Sequence, residues 1–269
     1  MLFIKYILPY VSVCVFLLGM ACKLHRWLKA PSLFPVTVFP APGSSSGRLA
    51  VFLKEVLLFN SLYLHSRLLW LLSWTMHLSL GVIFAGHLAG IYFSGEQFVF
   101  LGISREKSLL LSNSLGMAAG VVLVVSLLGL ALRRIFDAEA KAATLPSGCF
   151  ELALLTGIAL TGIGLRLTID EAGLAEIRAY LAGLILFRPA DFPVFPWFFW
   201  HFVLANVLLM YIPFANLKHW LGVWIVRLML IEPPPVYPTA AGKPLRSPFA
   251  APLKGDFQRN RLAAGNKVR

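Results

Sequence analysis

The chain has 269 residues, of which 58% are hydrophobic and only 13% are charged. The apolar share exceeds the roughly 45–50% of soluble domains and predicts an integral membrane protein. A net charge of +12 could suit nucleic acid, but the 24 basic residues lie mainly in loops and in the C-terminal tail. In a membrane protein this pattern reports topology, so we expect lipid contact and no nucleic-acid partner.

Five apolar stretches approach the roughly 20 residues that a membrane-spanning helix needs. The first has the length of a signal peptide, but its basic N-terminal region is thin and no cleavage site follows, so we expect a helix that stays in the membrane. The predicted fold is an all-α integral membrane bundle of five transmembrane helices, over residues 2–20, 68–93, 109–132, 149–167 and 195–220.

The connecting segments contain shorter helices and breaks. The Gly-Ser-Ser-Ser-Gly run at residues 43–47 is expected to interrupt any helix, and residues 52–59 have the pattern of a short amphipathic helix at the interface. Residues 174–188 and 221–231 are also predicted to be interfacial. The basic, proline-containing tail is expected to have no fold of its own, which gives a membrane domain at 1–231 and a tail at 232–269.

Lysine and arginine in the short loops set the predicted orientation. They place the segments after helices 1, 3 and 5 in the cytoplasm, so the N-terminus is expected outside and the C-terminus in the cytoplasm. Cys14, Cys22 and Cys149 form no CxxC or CxxCH motif, which argues against a disulfide framework, an iron–sulfur site and covalently attached haem.

Four histidines lie in two of the predicted spans, His77 and His87 in the second and His201 and His219 in the fifth. An imidazole is costly in hydrocarbon unless its nitrogens have partners. Because the two helices run antiparallel, His77 is expected level with His219 on the cytoplasmic side, and His87 with His201 on the outer side. Histidine is an axial haem ligand, so the pairs predict two non-covalent b-type haems, stacked across the membrane.

Helix geometry and small side chains bear on this prediction. The two histidine spacings correspond to about 15 Å and about 27 Å of helix rise, so helix tilt or a bend is needed, and Pro213 is the expected place of a bend. The span histidines also have small neighbours that would give a porphyrin room. Close helix packing is the ordinary alternative explanation for these small residues. They are Gly81, Ala85, Gly86, Ala89, Gly90, Gly116, Gly120, Gly157, Gly162 and Gly164.

A metal transporter or a non-redox membrane anchor is the alternative from another functional class. A zinc transporter would usually add intramembrane carboxylates, and the spans are expected to contain none. The chain also has no evident nucleophile or dinucleotide fingerprint, so any terminal chemistry would belong to partner subunits.

The histidine pair ending in Gly86-His87, and the pair ending in Pro213-Phe-Ala-Asn-Leu-Lys-His219, resemble the respiratory nitrate reductase gamma subunit family, the five-helix dihaem cytochrome b proteins (NarI-like). The resemblance covers roughly residues 6–225 and implies that these histidines are the axial ligands of the two haems. It also implies that Lys107, twenty residues after His87, lies in a quinol site beside the outer haem. A lysine that anchors the next helix at the interface is the simpler alternative.

Within that family the chain is more similar to the DsrM-like branch, on the residues 52–59, 67–74 and 177–189. The resemblance implies a membrane subunit of a DsrMKJOP-type complex of dissimilatory sulfur metabolism in the bacterial inner membrane. Its expected partners are quinol or quinone, a cytoplasmic iron–sulfur subunit related to heterodisulfide reductase, and further membrane and periplasmic redox subunits. The gamma subunit of a nitrate reductase-like complex is the alternative within the family.

Overall fold

The computed structural model describes residues 2–29, 44–93, 96–188, 190–230, 236–238 and 244–246. They belong to two compact units, the first formed by Met1–Leu28 and Leu62–Lys218 and the second by Lys29–Ser61 and His219–Arg269. In chain order the elements are a π-helical segment Phe3–Ile7, α1 (Leu8–Lys29), α2 (Ser45–Leu57), α3 (Asn60–His65), α4 (Arg67–Phe93), a 3₁₀ turn Val99–Leu101, α5 (Arg105–Phe136), α6 (Ala138–Ala142), α7 (Pro146–Thr168), α8 (Glu171–Ile185), α9 (Pro196–Tyr211), a 3₁₀ turn Asn216–Lys218, α10 (His219–Leu230), β1 (Val236–Pro238) and β2 (Pro244–Arg246).

Within the described residues, four helical segments are long and apolar enough to cross a membrane, namely Phe3–Lys29, α4, α5 and α7. A fifth span is obtained if α9 and residues Asn216–Val226 are taken together as one broken helix. The fifth helix predicted over 195–220, with a bend at Pro213, is present as this bent pair with a break between its two parts. Pro213 lies in this break, at the place where a bend was expected. Proline has no N–H to donate to a helix hydrogen bond, which explains why the helix does not continue through it.

Side-chain caps explain two further differences from the predicted boundaries. The run at 43–47 was expected to interrupt a helix, but α2 begins at Ser45 because the Ser44 hydroxyl accepts a hydrogen bond from the N–H of Gly47. Helix α5 begins at Arg105, four residues before the predicted start, with Ser104 as its N-cap. Lys107 consequently lies in the first turn of α5 and not in a loop.

An aromatic cluster joins α8 to α1 and α9 in the first unit. Tyr180 of α8 is fully buried against Phe192, Phe198 and Phe202, and its hydroxyl donates a hydrogen bond to the carbonyl of Lys5. These edge-to-face rings bury a large apolar area while the phenol keeps a partner. The helix predicted over residues 174–188 is thus present as α8 and packs on both neighbours.

Small and hydroxyl side chains bring α4 and α5 together. A Cβ on Gly129 would lie 2.7 Å from Leu72, so the two helices approach where glycine has no side chain. Close by, the hydroxyls of Thr75 and Ser126 share a hydrogen bond of 2.8 Å. Helix α4 is therefore fixed against α5 along its first half, and its second half lines the site described below.

The second unit contains α2, α10 and the strand pair. The rings of Phe52 and Trp224 pack with centroids 5.4 Å apart, which joins α2 to α10. Strands β1 and β2 pair antiparallel, with Tyr237 opposite Leu245. The expectation that the tail has no fold of its own falls mostly outside the described residues.

Candidate functional site

A cavity of about 640 Å³ lies within the first unit, between the second half of α4, α5, α7, α8 and α9. Its volume falls within the range of small-molecule and cofactor sites, roughly 300–1,000 Å³. Most of its lining is aliphatic, aromatic or glycine, and no carboxylate of the described residues lines it. The polar side chains that line it are His87, Gln97, Ser112, Arg166, Arg178 and His201.

The outer pair of predicted haem ligands, His87 and His201, lies together in this cavity. Their ring centroids are 6.0 Å apart and the ring planes differ by only 13°. Two metal–nitrogen bonds of about 2 Å each would take up about 4 Å of this separation. The remainder is the distance from each nitrogen to its ring centre, so the spacing suits one metal ion between two imidazoles.

Backbone carbonyls fix the tautomer of both rings. His87 Nδ1 lies 2.7 Å from the carbonyl oxygen of Ile83, and His201 Nδ1 lies 3.0 Å from that of Ile158. A carbonyl oxygen only accepts, so each Nδ1 carries the proton and each Nε2 keeps its lone pair. Metal-ligating histidines usually make this second hydrogen bond, which sets ring orientation and raises ligand basicity.

Glycines on α7 allow α9 to approach and deliver His201. A Cβ on Gly162 would lie 3.1 Å from His201 Cε1, and one on Gly164 would lie 2.7 Å from the indole of Trp197. Both contacts are closer than side chains normally tolerate. For these two residues the close-packing alternative describes their role, since they set the distance between α7 and α9.

Glycines on α4 behave differently. A Cβ on Gly86 or Gly90 would meet nothing within 4 Å, and both residues line the cavity beside His87. The surface of α4 at Gly86 and Gly90 therefore leaves space in the cavity and is not in close contact with another helix of this chain. Gly81 is equally open but lies outside the cavity lining.

Two arginines place positive charge on the cavity wall. Arg166 of α7 donates a hydrogen bond to Asn113 Oδ1, 3.0 Å away, and Arg178 extends from α8. Burial lowers the pKa of Arg178, while the charge of Glu171 opposes that shift. Both arginines also line a smaller polar pocket of about 280 Å³ next to the cavity. The smaller pocket also has the carboxylates of Glu106, Asp170 and Glu171 in its wall, which offset part of this charge. In the cavity itself the two arginines are the charged side chains of the described wall, and anionic ligand groups would meet them there.

The remaining predicted site residues lie elsewhere. His77 is half-buried on α4 with Nδ1 2.7 Å from the carbonyl oxygen of Ser73, four residues earlier, which is the arrangement that His87 also has. His219 is exposed and begins α10 in the second unit, so its pairing with His77 stays a prediction. Lys107 is exposed and is not part of the cavity wall.

Glu151 contradicts the expectation that the spans hold no carboxylate. It lies in α7, is 9% exposed, and accepts a hydrogen bond from the N–H of Asn216 at 3.0 Å. Glu151 lies inside the predicted fourth span, where a carboxylate within an apolar stretch is the signal that identifies it. Gln97, Arg166 and Arg178 were also missed; a charged residue within an apolar stretch was the available signal for Arg166.

Comparison with known proteins agrees with the resemblance noted from the sequence. The family model described as nitrate reductase gamma subunit matches residues 59–237. A relative from Archaeoglobus profundus, named Hdr-like menaquinol oxidoreductase cytochrome b-like subunit, is 26% identical over 83% of this chain and 77% of its own length. The protein of the same name from Archaeoglobus fulgidus is 29% identical over 81% and 76%. The nitrate reductase gamma chain of Bacillus subtilis is 29% identical over 53% of this chain and 67% of its own.

Proposed function

Because the chain belongs to the nitrate reductase gamma subunit family, we propose that it is a dihaem cytochrome b that exchanges electrons between the quinone pool and a cytoplasmic iron–sulfur subunit. The family and the relatives make it a membrane cytochrome b-like subunit of a redox complex, for which haem b is the implied cofactor. The number of haems, the side of the quinone site and the partner are the proposed part.

The arrangement of His87 and His201 carries the proposal. Their nearly parallel rings have centroids 6.0 Å apart beside one apolar cavity, and each Nδ1 is engaged by a carbonyl, which leaves the two Nε2 lone pairs as the candidate ligands. Histidine pairs of this kind suit haem iron, which supplies one-electron transfer. The open surface at Gly86 and Gly90 gives room for the flat macrocycle.

Arg166 and Arg178 suit the propionate edge of a haem molecule. Protoporphyrin carries two propionates on one edge, and carboxylates in a low-dielectric site need cationic or hydrogen-bonding partners. Arg166 and Arg178 are the cationic side chains of the described cavity wall and would hold those propionates through charge-assisted hydrogen bonds.

For the second haem we propose His77 and His219 as the axial pair on the cytoplasmic side. His77 shares the Nδ1–carbonyl hydrogen bond of the outer ligands, which leaves its Nε2 as the nitrogen with ligand character. Electrons would enter at the outer haem from quinol, pass to the cytoplasmic haem and leave to the partner, and the protons of quinol would be released outside.

We propose a DsrMKJOP-like complex in the bacterial inner membrane, with a heterodisulfide-reductase-like subunit on the cytoplasmic face and further membrane and periplasmic redox subunits. The printed name of the two Archaeoglobus relatives, with its Hdr-like and menaquinol terms, supports a quinol-linked complex of this kind. The match to the Bacillus subtilis gamma chain supports the alternative, a nitrate reductase-like complex. In either case the chain is an electron-transfer subunit and not a complete enzyme alone.

The test is a haem assay on the purified chain. We expect two haems per chain that acid–acetone extracts, and a reduced-minus-oxidised spectrum of six-coordinate, low-spin b-type haem. A chain that binds no haem would leave the non-redox anchor or a metal transporter as the function. Haem that survives extraction would contradict the non-covalent assignment.

A further inference from the structure

The imidazole of His201 is held by helix α7, whereas that of His87 is held by its own helix. His87 Nδ1 lies against the carbonyl oxygen of Ile83, four residues earlier on α4. His201 Nδ1 lies against two oxygens of α7, the carbonyl oxygen of Ile158 at 3.0 Å and the hydroxyl oxygen of Thr161 at 3.3 Å. The orientation of the His201 ring therefore depends on contacts between two helices.

The other hydrogen bonds of Thr161 fix the direction of its contact with His201. The Thr161 hydroxyl lies 2.8 Å from the carbonyl oxygen of Gly157 and 2.9 Å from that of Ile158, and a hydroxyl has only one proton to donate. Because carbonyls only accept, this proton points back to α7, and a lone pair of Thr161 Oγ1 is left for the Nδ1–H of His201. The Nδ1 proton is thus shared between Ile158 and Thr161.

The glycine that follows Thr161 lets the imidazole approach this turn of α7. A Cβ on Gly162 would lie 3.1 Å from Cε1 of His201 and 3.3 Å from its Nδ1. The ring fits against α7 because no side chain occupies that position. Thr161 and Gly162 therefore act on the same edge of the ring, the first through a polar contact and the second through its small size.

The contact with a histidine separates Thr161 from the other threonines of α7. Thr156 and Thr168 also donate to the carbonyl four residues earlier, which is the ordinary way for a hydroxyl to be satisfied in an apolar helix. Of these three threonines, Thr161 is the one whose hydroxyl also contacts a histidine in the described part of the chain. Thr161 does not line the cavity, so a change there leaves the cavity wall as it is.

We propose that Thr161 is a positioning residue that orients His201 and lowers the reduction potential of the outer haem. This rests on the proposed role of His201 as an axial ligand and adds a residue outside the axial pair. A hydrogen bond donated by Nδ1–H raises the basicity of the imidazole as a ligand. Stronger electron donation stabilises ferric iron more than ferrous iron, so loss of the Thr161 oxygen favours the reduced haem.

The test is a redox titration of the haem-loaded protein with the two haems resolved, the outer haem being the one that His201→Ala removes. Thr161→Val removes the oxygen and keeps the volume, whereas Thr161→Ser keeps the oxygen and removes the methyl group. We expect Thr161→Val to raise the reduction equilibrium constant of the outer haem about threefold to tenfold, or about 30–59 mV for one electron. Thr161→Ser should stay near wild type. Thr156→Val is the matched control, because it removes a hydroxyl of α7 that does not contact His201, and it should leave the outer haem unchanged.

The second haem reports in the same sample whether each variant is folded. Loss of the outer haem in Thr161→Val alone, with the second haem retained, would also support the proposal, because partners of ligating histidines contribute to metal affinity. An unchanged outer potential in Thr161→Val would overturn it, as would an equal change in Thr161→Ser or Thr156→Val, or loss of both haems in Thr161→Val. These results leave the proposed function standing, whereas a wild-type chain without haem would overturn both.

Discussion

The carboxylate of Glu151 on α7 accepts a hydrogen bond from the backbone N–H of Asn216, 3.0 Å away. Asn216 begins the 3₁₀ turn in the break after α9, three residues before His219. A broken helix leaves backbone groups without their usual partners, and a buried carboxylate is a strong acceptor for one of them. The bond therefore anchors the segment that leads to a proposed haem ligand.

Removal of this acceptor should affect the haem that depends on His219. A hydrogen bond to a charged group contributes about 1.5–3 kcal/mol, so Glu151→Leu should loosen the turn at Asn216 and lower occupancy of that haem. Glu151→Gln keeps an acceptor oxygen and should remain near wild type. Haem content and redox titration of both variants provide the measurement. Loss of the His87–His201 haem in Glu151→Leu, with the other retained, would contradict this assignment.

The histidine pairing predicts two phenotypes. Changing His87 or His201 to alanine should remove one haem, since each supplies one of two axial nitrogens to the same iron. Changing His77 or His219 should remove the other. Reduced-minus-oxidised spectra and haem counts of the four variants distinguish the groups. If His77→Ala and His87→Ala removed the same haem, the antiparallel pairing would be wrong.

A substitution at Gly86 tests whether haem occupies the cavity without disturbing the protein fold. A Cβ there would meet no protein atom within 4 Å, and leucine favours a helix over glycine by up to about 1 kcal/mol. Gly86→Leu should therefore fold normally but exclude the outer haem by filling its space. Gly81→Leu is the matched control, because Gly81 is equally open but lies outside the cavity wall. Retention of both haems by Gly86→Leu would show that the haem does not occupy this surface.

The helices and the outer histidines show what the sequence can predict. Hydrophobic length located four spans directly, because each is one uninterrupted helical segment that is long and apolar enough to cross a membrane. The fifth was predicted as one helix with a bend at Pro213, and the structure has a break there, because Pro213 lacks an N–H and the turn after Tyr211 ends the helix. The starts of α2 and α5 depend on single N-cap side chains, those of Ser44 and Ser104, which hydropathy does not register.

The wall of the site was less predictable than its histidines. The position of Gln97 depends on contacts of its neighbours with Arg105 and Ser108, which are tertiary and leave no periodic signal. The glycines illustrate the same limit. Gly86 and Gly162 are the same residue type, yet Gly86 faces open space and Gly162 packs against His201.

Lys107 gives a further prediction about quinol. It lies next to Ser108, whose hydroxyl holds the N–H of Phe98, so the backbone of Lys107 is close to the loop that carries Gln97. An ammonium at this end of α5 would hydrogen-bond a quinone oxygen and stabilise the negative charge that develops there during electron transfer. We expect Lys107→Ala to slow haem reduction by a quinol analogue about tenfold or more, with both haems bound and reducible by dithionite.

Two control variants separate the effect of the positive charge from the effect of its position. Lys107→Arg keeps the positive charge, and if the residue only anchors α5 at the interface this change is harmless. Arg105→Gln, two residues away, removes a neighbouring charge whose partner is Glu96. A direct role for the ammonium requires Lys107→Ala to lower the rate more than Arg105→Gln does. Normal quinol-driven reduction in Lys107→Ala would move the quinone site away from this residue, towards the cytoplasmic haem.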